Sequence, residues 1–347
     1  MRSLIDFWTA PIRAEPLALF RILLGLTILG SQLTGIFLSL SQTCGPDGLR
    51  PIEGSDDWTR HSGRVLLLRG PVGLPLLDNW LPNSLAREFP WLDGWVSPSA
   101  KNAWADWGEQ LSSHYLLFAI YFVVLVLLTL GFWPRLMAFF AVFLAATFSH
   151  RLPEMMNGGD TLSCNGLYYL MLAPSGATWS LDQLLRRRRA IARGETPSDE
   201  PVTIEPWSVR LMQIQLCCLY LFTGFAKFGE DYFNGVALYW ILNDVAITRW
   251  PYGFFPVPMF MCRLLTWGTL AFELGFCILV WVRPLRRWVL LAGLGLHLGI
   301  FVTMELGWFS QVTMCWYALF VSGETLARWE SRGGARGSSG SARLTCG

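Results

Sequence analysis

Charge is scarce in this sequence. Asp, Glu, Lys and Arg make up 15% of 347 residues against 53% hydrophobic, and mean hydropathy is +0.39. Soluble domains carry about 25% charged residues, so this chain has too few to cover its own surface in water. An ordinary soluble domain is excluded, and a polytopic membrane protein is the natural reading. A net charge of +2 gives no basis for a nucleic-acid partner, and the basic residues sit beside apolar runs instead. Cysteine pairing is lacking too. No C-x-x-C occurs among the eight cysteines, so a zinc or thioredoxin-like site has no support and no metal is expected. Cys217, Cys218, Cys277 and Cys315 lie inside apolar runs as small hydrophobes, and Cys44 has no evident partner. A cleavable signal peptide is not expected either. The chain opens MRSLIDFWTAPIRAEP, and its first apolar run, from near Leu17, has no A-x-A-like site.

What is present is a series of apolar runs. A bilayer core takes roughly 20 apolar residues per helix. Leu17–Leu40, Tyr115–Trp133, Leu136–Ser149, Trp207–Ala226, Leu264–Val282 and Trp288–Met304 qualify, while Leu162–Pro174 and Phe309–Gly323 are shorter. The expected fold is all-α, a polytopic transmembrane helical bundle of about eight spans. Six or seven remain if a short segment is re-entrant. Lys and Arg concentrate in cytoplasmic loops. With the N-terminus inside, Arg2, Arg13, Arg135, the Arg186–Arg189 run, Arg283, Arg286, Arg287 and the C-terminus all fall inside. Asp47, Asp56, Asp57, Asp160, Glu230 and Asp231 fall outside. The expectation is a multi-pass protein of the cell membrane with both termini cytoplasmic and the lipid bilayer as partner. Residues 1–325 read as one transmembrane domain with a Trp- and Pro-rich outer loop at 41–111. Residues 326–347 read as a basic, Gly/Ser-rich, disordered tail. The first half of Phe233–Arg263 reads as an interfacial amphipathic helix. No inverted repeat or broken-helix pair argues for a transporter.

Ionisable groups at membrane depth are costly and mark cavities or partners. Arg21 lies in the first turns of its span, where snorkelling and an internal ion pair are both open. Glu273 sits mid-span in LTWGTLAFELGFCILVW, to be protonated, paired within the bundle or part of a site. His297 lies beyond the middle of its span among Gly293, Gly295 and Gly299, which permit close helix approach. Asp160 follows Asn157-Gly158-Gly159 and reads equally as a helix cap. Lys227, in YLFTGFAKFGED, is either an interfacial anchor or an amine held in an apolar pocket and able to act as a base. Lys227, Asp160 and Glu305 all map to the outer boundary with His297 about two turns below, so one outward-facing pocket is expected to gather them.

The segments PLALFRILLGLTIL, CGPDGLRP, LTLGFWPRL, the N-G-G-D to TWSLD stretch, QLCCLYLFTGFAKFGEDYFNG and LGLHLGIFVTMELGWFS occur in that order from about Phe7 to Gly323. Together they resemble the horizontally transferred transmembrane (HTTM) domain family, related to the membrane part of vitamin K-dependent gamma-carboxylase. The resemblance implies a carboxylase/epoxidase-like lyase in which Lys227 is the base that deprotonates a reduced quinone such as vitamin K hydroquinone. Tyr220 and Gly224 match the YxxxGxxK segment upstream of that lysine, and His297 matches the histidine of the family's FH segment. By the residues alone no cofactor, substrate or protein partner is named. Departures stand at Ala226, where the carboxylase has a second lysine, at Asn157–Asp160, which lacks a histidine, and at Leu296, which replaces an aromatic. The alternative to an enzyme is a membrane protein that binds or moves a lipid or quinone, with Glu273, Glu305 and the same residues holding its pocket.

Overall fold

The computed structural model describes residues 2–36, 111–151, 157–197, 200–244, 246–249 and 257–329. Cys44, Asp47, Asp56, Asp57, the expected outer loop up to residue 110 and the tail from residue 330 lie outside them. The described chain is helical apart from two short strands. In chain order the helices are α1 (Arg2–Thr9), α2 (Glu15–Ser31, prolonged by a π-helical turn Gln32–Ile36), α3 (Leu111–Leu130), α4 (Pro134–Arg151) and α5 (Gly158–Leu172). There follow α6 (Leu181–Ala192), α7 (Trp207–Ala226), α8 (Glu230–Phe233) and α9 (Ala237–Asn243). Then come α10 (Met259–Leu279), α11 (Arg283–Thr303) and α12 (Phe309–Trp316, continued by a 3-10 turn Tyr317–Phe320), and residues 323–329 are helical as well. Strand β1 (Ile12–Arg13) pairs antiparallel with β2 (Thr203–Ile204), tying the starts of α2 and α7 together.

Each apolar segment expected to be a span falls mainly on a helix, as α2, α3, α4, α5, α7, α10, α11 and α12, with residues 37–40 of the first outside the described residues. Several helices begin before the apolar run does. Pro134 opens α4, and Pro16 and Pro284 lie in the first turns of α2 and α11, where proline's missing N–H costs nothing. Polar first turns are tolerated there, so hydropathy marks the buried stretch and not the first hydrogen bond. Residues Glu15–Gly35, Trp207–Ala226, Met259–Leu279 and Arg283–Thr303 are each long and apolar enough to cross a membrane.

These eight segments alternate in direction. Arg135, at the start of α4, donates to the Ala173 carbonyl at the end of α5. Gln213, early in α7, donates to the Leu319 carbonyl at the end of α12. Gly30, late in α2, lies against Trp308 just before α12. One end of the bundle therefore collects Arg13, Arg135, Arg186–Arg189, Arg210, Arg283, Arg286 and Arg287, and is called the basic end below. Asp160, Glu230, Asp231 and Glu305 lie toward the other.

Helices α2–α5 form one group, and α7, α10 and α11 another, with α12 packed between them. Trp316 of α12 is fully buried, its ring 5.2 Å from Phe20 and 6.2 Å from Tyr169. Gly166 of α5 faces Leu24, Phe20 and Trp316, and a side chain there would push α5 away from α2 and α12. Helices α8 and α9 lie against the first half of α10, through Trp267 Nε1 to the Phe233 carbonyl (3.1 Å) and the Leu238 amide to Thr266 Oγ1 (3.2 Å). The amphipathic stretch expected after Phe233 is thus the short helix α9, docked on protein along one side.

Candidate functional site

Tyr220, Thr223, Gly224 and Lys227 recur at helical spacing and share one face of α7. That face meets α10. Gly224 permits the approach, because a Cβ there would strike Leu274 and stand 3.5 Å from Glu273. The helix ends at Lys227, whose amine bonds Glu273 Oε1 at 2.8 Å, Oε2 at 2.7 Å and the Thr223 carbonyl at 3.4 Å. All three donors of an ammonium group are thereby used. The side chains of Lys227 and Glu273 are 24% and 10% exposed. Glu273 lies far along α10, about 21 Å of helix past Met259. The amine therefore sits well inside the length of α10, and α8 and α9 flank the helix beyond it. From α8, Tyr232 comes within electrostatic reach of Glu273. Burial first, then that carboxylate, pushes the Tyr232 phenol above its ordinary range.

Two turns below Lys227 on the same face, the Tyr220 hydroxyl makes two contacts in the core. One is to His297 Nε2 of α11 at 2.7 Å, and the other is to the Tyr317 hydroxyl at the end of α12. Phe272 and Phe276 of α10 pack on the Tyr220 ring at 5.4 and 4.5 Å. Gly293 leaves room for the Tyr317 hydroxyl, which any Cβ there would strike. His297 is 2% exposed, and its Nδ1 has no hydrogen-bond partner among the described residues. Unmade hydrogen bonds on buried nitrogens are costly, so such a group calls for an explanation.

The remaining expected site residues have other partners. Asp160 closes a capping box, its carboxylate accepting from the Asn157 amide at 2.9 Å while the Asn157 side chain accepts from the Gly159 and Asp160 amides. Phe309 packs beneath Gly158 and Gly159, and its ring stands 5.7 Å from that of His297, so the start of α5 and His297 border one aromatic. Glu305 pairs with Arg249 at 3.1 Å, where its side chain is 59% exposed. The seven residues thus divide into Lys227, Glu273 and Gly224 at one level, Tyr220 and His297 at a second, and Asp160 and Glu305 in capping and surface contacts.

Arg21 takes neither course open to it from sequence. Fully buried, it donates to the Ser175 and Trp179 carbonyls and packs against Gly131, clamping two turns at the basic end. Tyr317, Tyr232 and Thr223 were not legible as site residues, since two lie in unmarked aromatic stretches and the third acts through its backbone. One signal does single out the lysine. Of 27 basic residues only Lys101 and Lys227 are lysines. A chain otherwise anchored by arginine thus carries a lysine at this position, and the two side chains are not interchangeable.

Among the described residues no group of three or more His, Cys, Asp or Glu side chains gathers as a metal site. Among curated proteins and solved structures nothing matches the chain. A family profile does match: that of the HTTM domain covers residues 95–324, well over half of the sequence, and with four helices apolar enough to cross a bilayer the protein belongs to the HTTM family of membrane proteins.

Proposed function

We propose that this protein is a multi-pass cell-membrane protein of eight spans, with both termini cytoplasmic, whose Lys227–Glu273 pair handles a proton for a bilayer-soluble ligand of the reduced-quinone class. The alternation of the eight segments and the collection of arginines at one end support the topology. The observation that carries the chemical reading is the buried pair itself, with a lysine where the chain otherwise uses arginine. As an ion pair, Lys227 has no lone pair to offer. Moving one proton from Nζ to a Glu273 oxygen converts two partly buried charges into two neutral groups, and Nζ then becomes a base. A reduced quinone, when bound, would supply an acidic aromatic hydroxyl. The donor set suits such a group: the amine and carboxyl, the Tyr232 phenol, and the half-exposed rings of Phe225 and Phe228, 5.3 Å apart beside Lys227. Tyr220 and His297 hold the α7, α11 and α12 side of the site, and the carboxylase-like reaction is carried over from the family resemblance.

A second reading is a non-enzymatic lipid- or quinone-binding protein, favoured by the closed Lys227–Glu273 bridge, which suits a structural pairing as well as a catalytic one. The two readings separate with Lys227→Ala and Lys227→Arg, using quinone extracted from the purified protein and identified by mass spectrometry. Retained quinone with lost oxidation of the reduced form supports the enzyme. Unchanged turnover in both variants removes the catalytic role, and absence of any quinone from the wild-type extract argues against the ligand class.

A further inference from the structure

Helix α6 is unlike the others. None of its residues is buried, and it makes no extensive packing with another helix among the described residues. Its sequence LDQLLRRRRAIA sets four exposed arginines in succession, with Asp182 alone of opposite sign on the helix. Isolated helices shorter than about 12–15 residues are marginal in water, and like charges one turn apart weaken them further. The Ser180 cap and Arg189 near the C-terminus offset only part of this. Leu184 and Ile191, 46% and 58% exposed and two turns apart, share a side with Arg188 between them. The helix starts at the level where its neighbours turn. Asp182 accepts from the Trp133 amide at 3.1 Å in the α3–α4 turn, and the 60% exposed Trp133 ring marks the depth at which tryptophan prefers the bilayer interface. We infer that α6 is an interfacial helix that binds anionic phospholipid headgroups, with Arg188 and Arg189 on the phosphates and Leu184 and Ile191 among the upper acyl chains. The arginine stems suit this, since they can lie along apolar surface while the guanidinium groups reach the headgroups.

The test uses the full chain in detergent, equilibrated with equal phosphatidylglycerol and phosphatidylcholine and analysed for retained lipid by mass spectrometry. Arg186 is left intact because it donates to the Gly176 carbonyl. Wild type should retain phosphatidylglycerol preferentially. Arg188→Gln/Arg189→Gln should lower that preference roughly fivefold per arginine removed, and Leu184→Ser/Ile191→Ser should weaken retention of both lipids. Raising salt from 0.1 to 0.5 M should act on wild type as the arginine substitutions do, whatever the variants' folding. Inorganic phosphate at matched ionic strength should not compete. Equal retention of both lipids by wild type, an unchanged preference in a stably folded Arg188→Gln/Arg189→Gln protein, or displacement by phosphate overturns the inference.

Discussion

Arg21 and Lys227 are both cations drawn into the bundle, and they are handled in opposite ways. Arg21 of α2 is fully buried, and its guanidinium takes the carbonyls of Ser175 and Trp179. Lys227 at the end of α7 meets the carboxylate of Glu273. The first arrangement needs a permanent planar cation to reach two carbonyls of the α5–α6 connection at once, and arginine is the side chain that never gives up its proton. The second joins two groups that can exchange a proton between them. Burial alone does not distinguish a structural charge from a chemical one. The partner does, because a carbonyl cannot take the proton and a carboxylate can.

The largest effect expected from this contrast is at Arg21. Arg21→Ala leaves two carbonyls without their donor in a core that has no room to readjust, at a cost of about 3–5 kcal/mol. Thermal unfolding in detergent should show a large drop, with poor yield. Arg21→Lys should recover part of it, since one ammonium group cannot reach both carbonyls with the same geometry. A melting temperature within a few degrees of wild type for Arg21→Ala would mean the turns hold themselves.

Next comes the lysine. Lys227→Ala strands the Glu273 carboxylate, and given the partial exposure of the pair the cost should be about 2 kcal/mol. Lys227→Met/Glu273→Leu should restore most of that stability while abolishing any proton chemistry. The double-mutant cycle therefore separates the two roles: stability couples the pair, and function does not survive the repair. Equal stability of the Lys227→Ala and double variants would place the coupling elsewhere.

How much of this was legible beforehand follows the same division. The helices were, because apolar runs of membrane length admit few alternatives, and Trp207–Ala226 matches α7 at both ends. The π-helical turn after α2 and the docking of α9 on α10 were not, since hydropathy reports depth and not neighbours. At the site, Lys227 and Glu273 were each marked as unusual but assigned different depths. Loop assignment placed Lys227 at the boundary because α7 ends there. It could not register that α10 runs on past that point, about 21 Å beyond the pair toward Met259. Tyr317 carried no mark, as a tyrosine near a span end is ordinarily an interfacial residue.

A smaller effect is expected at the tyrosine pair. Tyr317→Phe removes one hydroxyl that faces Tyr220, at about 1 kcal/mol, and Tyr220→Phe removes the contact to His297 as well, at about 1–2 kcal/mol. Both keep the aromatic packing on Phe272 and Phe276, so the fold should persist. With ring-15N histidine and a His297→Gln control for assignment, the His297 resonances should move in Tyr220→Phe more than in Tyr317→Phe. Identical shifts in both variants would show that Tyr220 does not stand between the other two.

The smallest effects should fall where the sequence grouped residues that the structure keeps apart. Asp160→Ala loses half of a capping box, worth about 1 kcal/mol, and should leave the response to Lys227 substitutions unchanged. Glu305→Gln loses an exposed pair with Arg249, worth about 0–0.5 kcal/mol. Distant sites add and sites in contact do not, so each should combine additively with Lys227→Ala in thermal stability. A departure from additivity beyond about 0.5 kcal/mol for Asp160→Ala would join the α5 cap to the lysine after all, and Phe309, which touches both Gly159 and His297, would be the route.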